Sequence, residues 1–344
     1  MTVTRGYWCA TDVLEAVRDQ LPIPLVSAVQ VEQARRAADY LGNAARSYYL
    51  EFRFSDERQV DFLALVRDER ALRASLKQRP DVARCSCWSR VVTFLDYWAD
   101  DAGRAIPFGW FEFDGRADGA AHAPRPNPAF GLEPGYFGRH WRCPTPAAPE
   151  IALRVAVGAS ECLFIGRSVE SFSHVVRRVS LELPAGGSLI CCTAMIAREP
   201  AVMKLYVSLP KPELGDYLRR IGWPGDVELV RRMVEEYFAR AKTLFIDLTS
   251  APELRPSLGL AWSQFHRRES GRYEVRADWG RRSGGSRVKF EAARSWEGIF
   301  ETSIRGERAW IRKWLDLKLV LPEKGESFAK GYLGFMPLVP LPFA

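Results

Sequence analysis

The sequence predicts an α+β fold in which ten strands, paired as five hairpins, close into an antiparallel barrel with helices packed outside. Strand-like segments come in adjacent pairs, and helical segments separate the pairs. Each strand has one apolar face and one mixed face, as expected where helices cover only one side. Such a sheet has two free edges, and closing it into a barrel removes both of them.

The order of elements follows from hydrophobic spacing. Apolar residues at three- and four-residue intervals predict helices before residue 46 and again at 88–101, 149–183 and 226–241. The segment 306–316, GERAWIRKWLD, also reads as a helix. The predicted strand pairs are 47–54 with 59–66, 107–114 with 127–133, 187–196 with 201–209, 243–249 with 256–265, and 316–322 with 328–335.

This order predicts a helical segment over 1–46 followed by one barrel domain over 47–344. The Pro- and Ala-rich stretch near residue 145 is an alternative boundary between two domains.

Composition narrows the class of protein. Hydrophobic residues make up 47% and charged residues 26% of the 344 residues, which is typical of a globular chain. The longest apolar run is too short to span a bilayer, and the N-terminus lacks signal-peptide features, so we expect a cytoplasmic protein without a membrane span. The net charge of +7 is spread along the chain. Its densest basic stretch, 267–282, is interrupted by acids and reads as a solvated loop, so no nucleic-acid partner is expected.

The cysteines and histidines are not spaced along the chain as the ligands of a metal site would be. Seven cysteines and four histidines are scattered, which predicts buried thiols and no metal centre. The nearest approach to an aspartate-rich motif is Asp100 and Asp101 at a predicted helix end. We therefore expect no required cofactor, and any Mg²⁺ would bind without an aspartate-rich motif.

Alternation divides the strands into two faces. The apolar face, which should meet the helices, carries Leu50, Phe52, Phe54, Phe111, Phe113, Met203, Leu205, Val207, Leu244, Ile246, Leu248, Leu317, Leu319 and Leu321. The opposite face mixes charges with aromatic rings and carries Tyr49, Glu51, Arg53, Trp110, Glu112, Asp114, Lys204, Tyr206, Ser208, Phe245, Asp247, Lys318, Lys330 and Tyr332. One interpretation is a polar face in water. The other is a barrel lumen, in which several lysines require acidic partners or a bound polyanion.

Two short motifs carry a family resemblance. MKLYV places Lys204 and Tyr206 on one face of a strand, and AKGYL does the same for Lys330 and Tyr332. SRVKF adds Arg287 and Lys289. In these motifs and in the order of its helices and strands, the chain resembles the ABBA-type (PT-barrel) prenyltransferases, including the members that act on indoles, other aromatic compounds or peptides. The resemblance implies that the barrel is built from ααββ repeats.

The resemblance implies metal-independent transfer of a prenyl group from an allylic diphosphate to an aromatic or heteroatom acceptor, a small molecule or a peptide, in the lumen. The diphosphate ligands that it implies are Lys204, Tyr206, Arg287, Lys289, Lys318, Lys330, Tyr332 and Arg53. The cation shield and acceptor site would involve Tyr49, Trp110, Phe245 and Asp247.

A carboxylate must also take a proton from the acceptor, and Glu112 is the first candidate, with Glu51 second. The alternative for Glu112 is an ion pair with Arg53 across the lumen. The alternative for the whole chain is a non-catalytic accessory or peptide-binding protein of a biosynthetic pathway, with a lumen plugged by side chains or an open sheet edge.

Overall fold

The computed structural model describes residues 8–115, 123–133, 149–164, 169–262 and 285–338. Its strands are β1 Ala45–Arg53, β2 Val60–Val66, β3 Gly109–Phe113, β4 Pro126–Gly131, β5 Ser188–Met195, β6 Val202–Pro210, β7 Thr243–Ser250, β8 Leu254–Trp262, β9 Gly298–Ile304, β10 Glu307–Leu321 and β11 Phe328–Leu338. Its α-helices are α1 Ala10–Val17, α2 Ala28–Leu41, α3 Glu69–Lys77, α4 Ser86–Ala99, α5 Pro149–Leu163, α6 Val169–Leu181, α7 Leu214–Arg220, α8 Val227–Tyr237 and α9 Arg287–Arg294.

Ten of these strands close into an antiparallel barrel. Strands β1 to β8 pair in chain order, β8 pairs with β10, β10 with β11, and β11 with β1. The remaining strand, β9, pairs with the first half of β10 outside this circuit. The predicted α+β fold of five hairpin pairs is therefore confirmed.

Pairs of helices precede pairs of strands along most of the chain, and they pack against the outer face of the barrel. Helix starts follow local sequence: Ser27 forms a capping box with Gln30, and Asp226 accepts a hydrogen bond from the Leu229 amide. The predicted apolar strand face is buried under the helices, with Leu50 and Leu205 fully inaccessible to solvent. One continuous core runs from Ala10 in α1 to residues of β11.

The segment 306–316 is a strand and not the helix that its spacing suggests. Ala309 and Ile311 are fully buried and alternate with Trp310 and the exposed Arg312, which is the period of a strand. Tryptophans four residues apart in WIRKW imitate a helical stripe, but long-range pairing with β9 and β11 determines the structure. The predicted strand 316–322 is the second half of the same β10.

Several elements and segments fall outside the sequence-based predictions. Helices α3 and α7 and strand β9 are present although the sequence pattern did not indicate them. The basic stretch 267–282 and the boundary near residue 145 lie outside the described residues. Of the helices that are described, none is both long and apolar enough to cross a membrane.

Replacing Gly331 by alanine is expected to lower the free energy of unfolding by about 1–3 kcal/mol, because the new methyl group overpacks the barrel wall. Gly331 lies directly across from the buried Phe52, and an added Cβ would lie 2.3 Å from the Phe52 ring. Urea unfolding measures the change.

Gly215→Ala is the matched control. A Cβ at Gly215 in α7 meets nothing closer than 3.7 Å, and alanine favours helix, so stability should stay equal or rise slightly. Unfolding of Gly331→Ala at the wild-type midpoint would contradict this account of the packing.

Candidate active site

The mixed faces of the strands enclose a cavity of about 170 Å³ inside the barrel. Its lining residues are Tyr49, Glu51, Leu63, Phe108, Trp110, Glu112, Asn127, Ala129, Ile190, Cys191, Thr193, Lys204, Tyr206, Asp247, Ala261, Asp316, Leu317, Lys318 and Tyr332. The structure thus brings most of the sequence-predicted residues together. The interpretation of this face as a polar surface in bulk water is wrong.

Two of the three lumen lysines bind carboxylates. Lys330 on β11 donates to Glu51 on the adjacent β1, and Lys318 on β10 donates to Asp247 on β7. All four side chains are at most 12% exposed. Burial alone would raise the pKa of Glu51, but Lys330, with help from Lys204, holds it well below its usual range. Burial alone would also raise the pKa of Asp247, but the charge of Lys318 outweighs burial. The pKa of Asp247 is therefore lowered as well.

A glycine on β8 leaves the space that the ion pair between Lys318 and Asp247 needs. Strand β8 lies between β10 and β7, so the Lys318 side chain must cross it to reach Asp247. It crosses at Gly259, where a Cβ would lie 2.3 Å from the Lys318 Cε atom. Any larger residue at 259 would occupy the path of the lysine.

Lys204 differs from the other two lysines. It makes no hydrogen bond and no ion pair within 4 Å with any residue that the structure describes. Burial lowers its pKa, but the fields of Glu112 and Asp247 outweigh burial, so the pKa of Lys204 is raised. The ammonium is therefore charged at neutral pH and has donors available toward the cavity.

Arg198 neutralises the acidic side of the lumen. It lies after β5, in the turn that leads into β6. Its guanidinium donates to Glu112 Oε1 at 2.9 Å and to Asp114 Oδ2 at 2.9 Å. Burial opposes the charge of Arg198, yet Asp114 and Glu112 raise its pKa overall. Glu112 therefore has a cationic partner, but this partner is Arg198 and not Arg53.

Aromatic rings form the rest of the lumen wall. The Tyr49 ring contacts Trp110 at 5.4 Å, Trp314 at 5.4 Å and Tyr332 at 6.0 Å between centroids. The Tyr49 hydroxyl donates to Asp316 at 2.8 Å, and the Trp314 indole donates to the same carboxylate at 3.1 Å. On the opposite wall, Tyr206 stacks on Phe245 at 5.9 Å.

Two predicted diphosphate ligands lie outside the lumen. Arg287 and Lys289 belong to helix α9, because SRVKF opens a helix and does not form a barrel strand. Arg287 is exposed and pairs with Glu291 at 2.8 Å. Lys289 donates to the Arg53 and Glu57 carbonyl oxygens at 3.0 and 2.8 Å, and it thereby caps the turn after β1. The expectation that these two cations face the lumen is wrong.

Arg53 lies at the rim. Its side chain is 14% exposed and pairs with Glu57 at 3.0 Å. Because Arg53 is directly opposite Lys330 in the β1–β11 register, the two side chains project to the same face of the sheet.

The residues at or near the lumen that the sequence does not predict include Arg198, Asp61, Asp316 and Trp314. Arg198 occupies a turn, where alternation gives no signal. Asp61 is the only charged residue between the apolar residues of β2, although its position opposite Glu51 follows from the β1–β2 hairpin. Asp316 and Trp314 fell within the segment that was predicted to be helical.

The carboxylates of Asp61, Glu112 and Asp114 have oxygens within 4.8 Å of one another, a spacing that divalent cations can bridge. Arg198 already occupies the side of this cluster formed by Glu112 and Asp114. The cation that these two acids hold is therefore the protein's own guanidinium.

Comparison with known proteins gives a fold likeness only. No protein-family model and no curated protein sequence matches the chain. The 5-dimethylallyltryptophan synthase from Streptomyces coelicolor matches with a TM-score of 0.57 over 95% of this chain and 97% of its own, at 13% sequence identity. A 6-dimethylallyl tryptophan synthase matches with a TM-score of 0.50 over 85% of this chain and 81% of its own, at 15% identity.

AnaPT from Neosartorya fischeri matches with a TM-score of 0.55 over 85% of this chain and 78% of its own, at 12% identity. Identities this low carry the fold without the site residues. The resemblance to ABBA-type prenyltransferases is thus confirmed at the level of the fold, and this chain has the barrel fold of the dimethylallyltryptophan synthases.

Proposed function

We propose that this protein transfers a prenyl group from an allylic diphosphate to an aromatic or heteroatom acceptor inside the barrel, without a required metal ion. The acceptor would be a small molecule or the side chain of a peptide. The proposal is supported by a lumen that combines cations, hydroxyl donors, aromatic rings and a carboxylate in one cavity. Two of the structural neighbours are dimethylallyltryptophan synthases, which agrees with it.

The single observation that carries the proposal is the ammonium group of Lys204. A charged lysine in a partly buried site is costly when it has no partner. Lys204 has none in the described part of the chain, and the acids around it keep it charged. A bound anion would complete its coordination, and the aromatic walls favour an anion that carries an apolar group.

Lys318 and Lys330 are the other proposed diphosphate ligands, with hydroxyl donors from Tyr206 and Tyr332. Burial raises the pKa of the Tyr332 phenol well above its usual value, and Glu51 adds to this shift. The phenol therefore keeps its proton at neutral pH and is able to donate a hydrogen bond to phosphate oxygen. Arg53 at the rim would add long-range attraction for the incoming anion.

In the proposed reaction, the C–O bond between the allyl group and the diphosphate breaks, and its electron pair stays on the diphosphate. The lysine ammonium groups stabilise the negative charge that develops there. The allyl carbon forms a bond to the acceptor atom, and the acceptor proton passes to the Glu112 carboxylate. Glu51 is the second candidate base, but its pairing with Lys330 weakens it as a proton acceptor in the ligand-free protein.

Tyr49, Trp110 and Phe245 are the proposed shield for the allyl cation. Their faces carry partial negative charge and attract a cation without reacting with it as water would. Asp247 orients Lys318 in this scheme. The cavity volume of about 170 Å³ is below the usual range for ligand pockets, which favours a short dimethylallyl chain.

The second candidate function is a non-catalytic accessory protein that binds a peptide. One observation favours it: β9 pairs with β10 on one side only among the described strands, which leaves an edge for strand addition. Such a protein would bind a peptide while its lumen ignored prenyl diphosphates. Binding of a diphosphate to the lumen therefore separates the two functions.

Lys204→Met is expected to weaken binding of dimethylallyl thiolodiphosphate about 10- to 100-fold, since a hydrogen bond to a charged group contributes about 1.5–3 kcal/mol. Titration calorimetry measures the dissociation constant, with geranyl thiolodiphosphate as the longer comparison. Lys242→Met is the matched control, because Lys242 is exposed immediately before β7. Equal affinity of the Lys204 and Lys242 variants would argue against a lumen diphosphate, and no binding by the wild type would favour the accessory function.

Glu112→Gln is expected to lower turnover about 10²- to 10⁴-fold while diphosphate affinity stays close to wild type, because an amide cannot accept the acceptor proton. Single-turnover assays with indole and tyrosine derivatives as acceptors give the rate, and calorimetry gives the affinity. Glu51→Gln is the comparison variant. If that variant alone loses turnover, Glu51 and not Glu112 is the base.

A further inference from the structure

Asp61 projects from the inner face of β2, the face that carries the cavity-lining Leu63, and has no role in the proposed reaction. It is directly opposite Glu51 in the β1–β2 register, and its side chain is fully inaccessible to solvent. Its Oδ1 atom accepts two hydrogen bonds at 2.8 Å, from the Gln59 side chain and from the Gly115 amide. One carboxylate oxygen is thus fully satisfied by neutral donors.

The second oxygen, Oδ2, is buried and has no hydrogen-bond partner among the described residues. Two acidic groups, Glu112 and Asp114, have oxygens within 4.8 Å of the Asp61 carboxylate. Arg198 donates to both of these neighbours, and no hydrogen bond from it to Asp61 is formed among the described contacts. An ionised oxygen in this position would face negative charge without a donor, whereas a protonated one would itself be a donor.

The charges around Asp61 are unbalanced toward acid. Within the described residues, six carboxyl groups face four cationic side chains across the lumen, apart from Arg53, which pairs with Glu57 at the rim. The carboxyl groups are Glu51 on β1, Asp61 on β2, Glu112 on β3, Asp114 after β3, Asp247 on β7 and Asp316 on β10. The cations are Lys204 on β6, Lys318 on β10, Lys330 on β11 and Arg198 before β6. The phenol of Tyr332 also faces Glu51.

We propose that Asp61 couples diphosphate binding to proton uptake, gaining a proton on Oδ2 as the anion enters the lumen and thereby removing a negative charge beside Glu112. This inference rests on the proposed function. Asp61 acts here as a positioning residue, because its oxygens lie within 4.8 Å of those of Glu112 and it does not touch the reacting atoms. Solvent supplies the proton.

The electrostatic reason is direct. Burial, followed by the fields of Glu51 and Glu112, raises the pKa of Asp61 to about 7. A diphosphate adds about three negative charges near a cluster that already has excess acid, and it draws Lys330 away from Glu51. Both changes raise the pKa of Asp61 further. At pH 7 the ligand-free protein holds about half a proton on Asp61, so binding should take up about half a proton per site.

The test is calorimetric titration of dimethylallyl thiolodiphosphate at pH 7 in two buffers that differ in ionisation enthalpy, which gives the number of protons bound. Asp61→Asn is the key variant, because the amide resembles the protonated acid in shape and supplies a donor. Wild type should take up about half a proton more than Asp61→Asn. Asp316→Asn, the same change at an acid hydrogen-bonded to Tyr49, should retain the wild-type uptake.

Binding with equal proton uptake in wild type and Asp61→Asn would overturn the coupling and leave the proposed function intact. Loss of uptake in Asp316→Asn but not in Asp61→Asn would also overturn it. If the analogue does not bind wild type at any pH between 5 and 9, the proposed function fails and the coupling fails with it.

A measurement without ligand reports the protonation of Asp61 independently. Folded Asp61 keeps its proton after the unfolded chain has lost its own, so the contribution of Asp61 to stability should fall as the pH rises from about 4 to about 7. Asp61→Asn lacks this group, so its melting temperature should exceed that of wild type above pH 7 and approach it near pH 4. A melting-temperature difference that does not change with pH would contradict a protonated Asp61.

Discussion

Ionised side chains are costly to bury without partners, and most of the charged side chains in the lumen are paired. Even after structural relaxation, removing a lone charge from water costs several kcal/mol. Lys318 pairs with Asp247, Lys330 pairs with Glu51, and Arg198 bridges two further carboxylates. Each pair joins different elements, and the pair between Lys330 on β11 and Glu51 on β1 forms only when the sheet has closed. The polar interior therefore specifies the closed barrel in addition to the apolar packing of the outer face.

Glycines on the inner face give the large lumen side chains their paths. Gly259 lets Lys318 cross β8, and Gly334 lies under the Trp314 ring, where a Cβ would meet the indole at 2.2 Å. Trp314 and Gly334 are directly opposite in the β10–β11 register. At these two positions a large side chain lies over a glycine on the neighbouring strand. The glycines therefore leave room for Lys318 and Trp314 on the inner face.

Period-two alternation was sufficient to predict the strand pairs and the inner face, because each strand must present one side to the helices. Local sequence alone is enough to place Lys204 and Tyr206 on one face of a strand, and closure of the barrel turns that face into the lumen. Alternation failed at Lys289, where a Lys two residues after an Arg imitates a strand motif within a short helix. It also gives no indication of Arg198, which lies in a turn. Nor does it indicate the role of Asp61, which depends on the buried Oδ2 atom without a described partner and on carboxylates from other elements. Which side chains pair across the barrel depends on the register between the strands, and local sequence does not determine that register.

The ion pairs in the lumen also determine which of the lysines can contribute most to the affinity for an anion. When a diphosphate replaces Glu51 at Lys330, one charged partner is exchanged for another, and the net gain in free energy is small. The displaced carboxylate then needs a proton or a new donor, which reduces the gain further. Lys204 has no described partner to lose, so its interaction with an anion is not offset in this way. Affinity should therefore depend mainly on Lys204, whereas the paired lysines fix the orientation of the diphosphate and release carboxylates that respond to its charge.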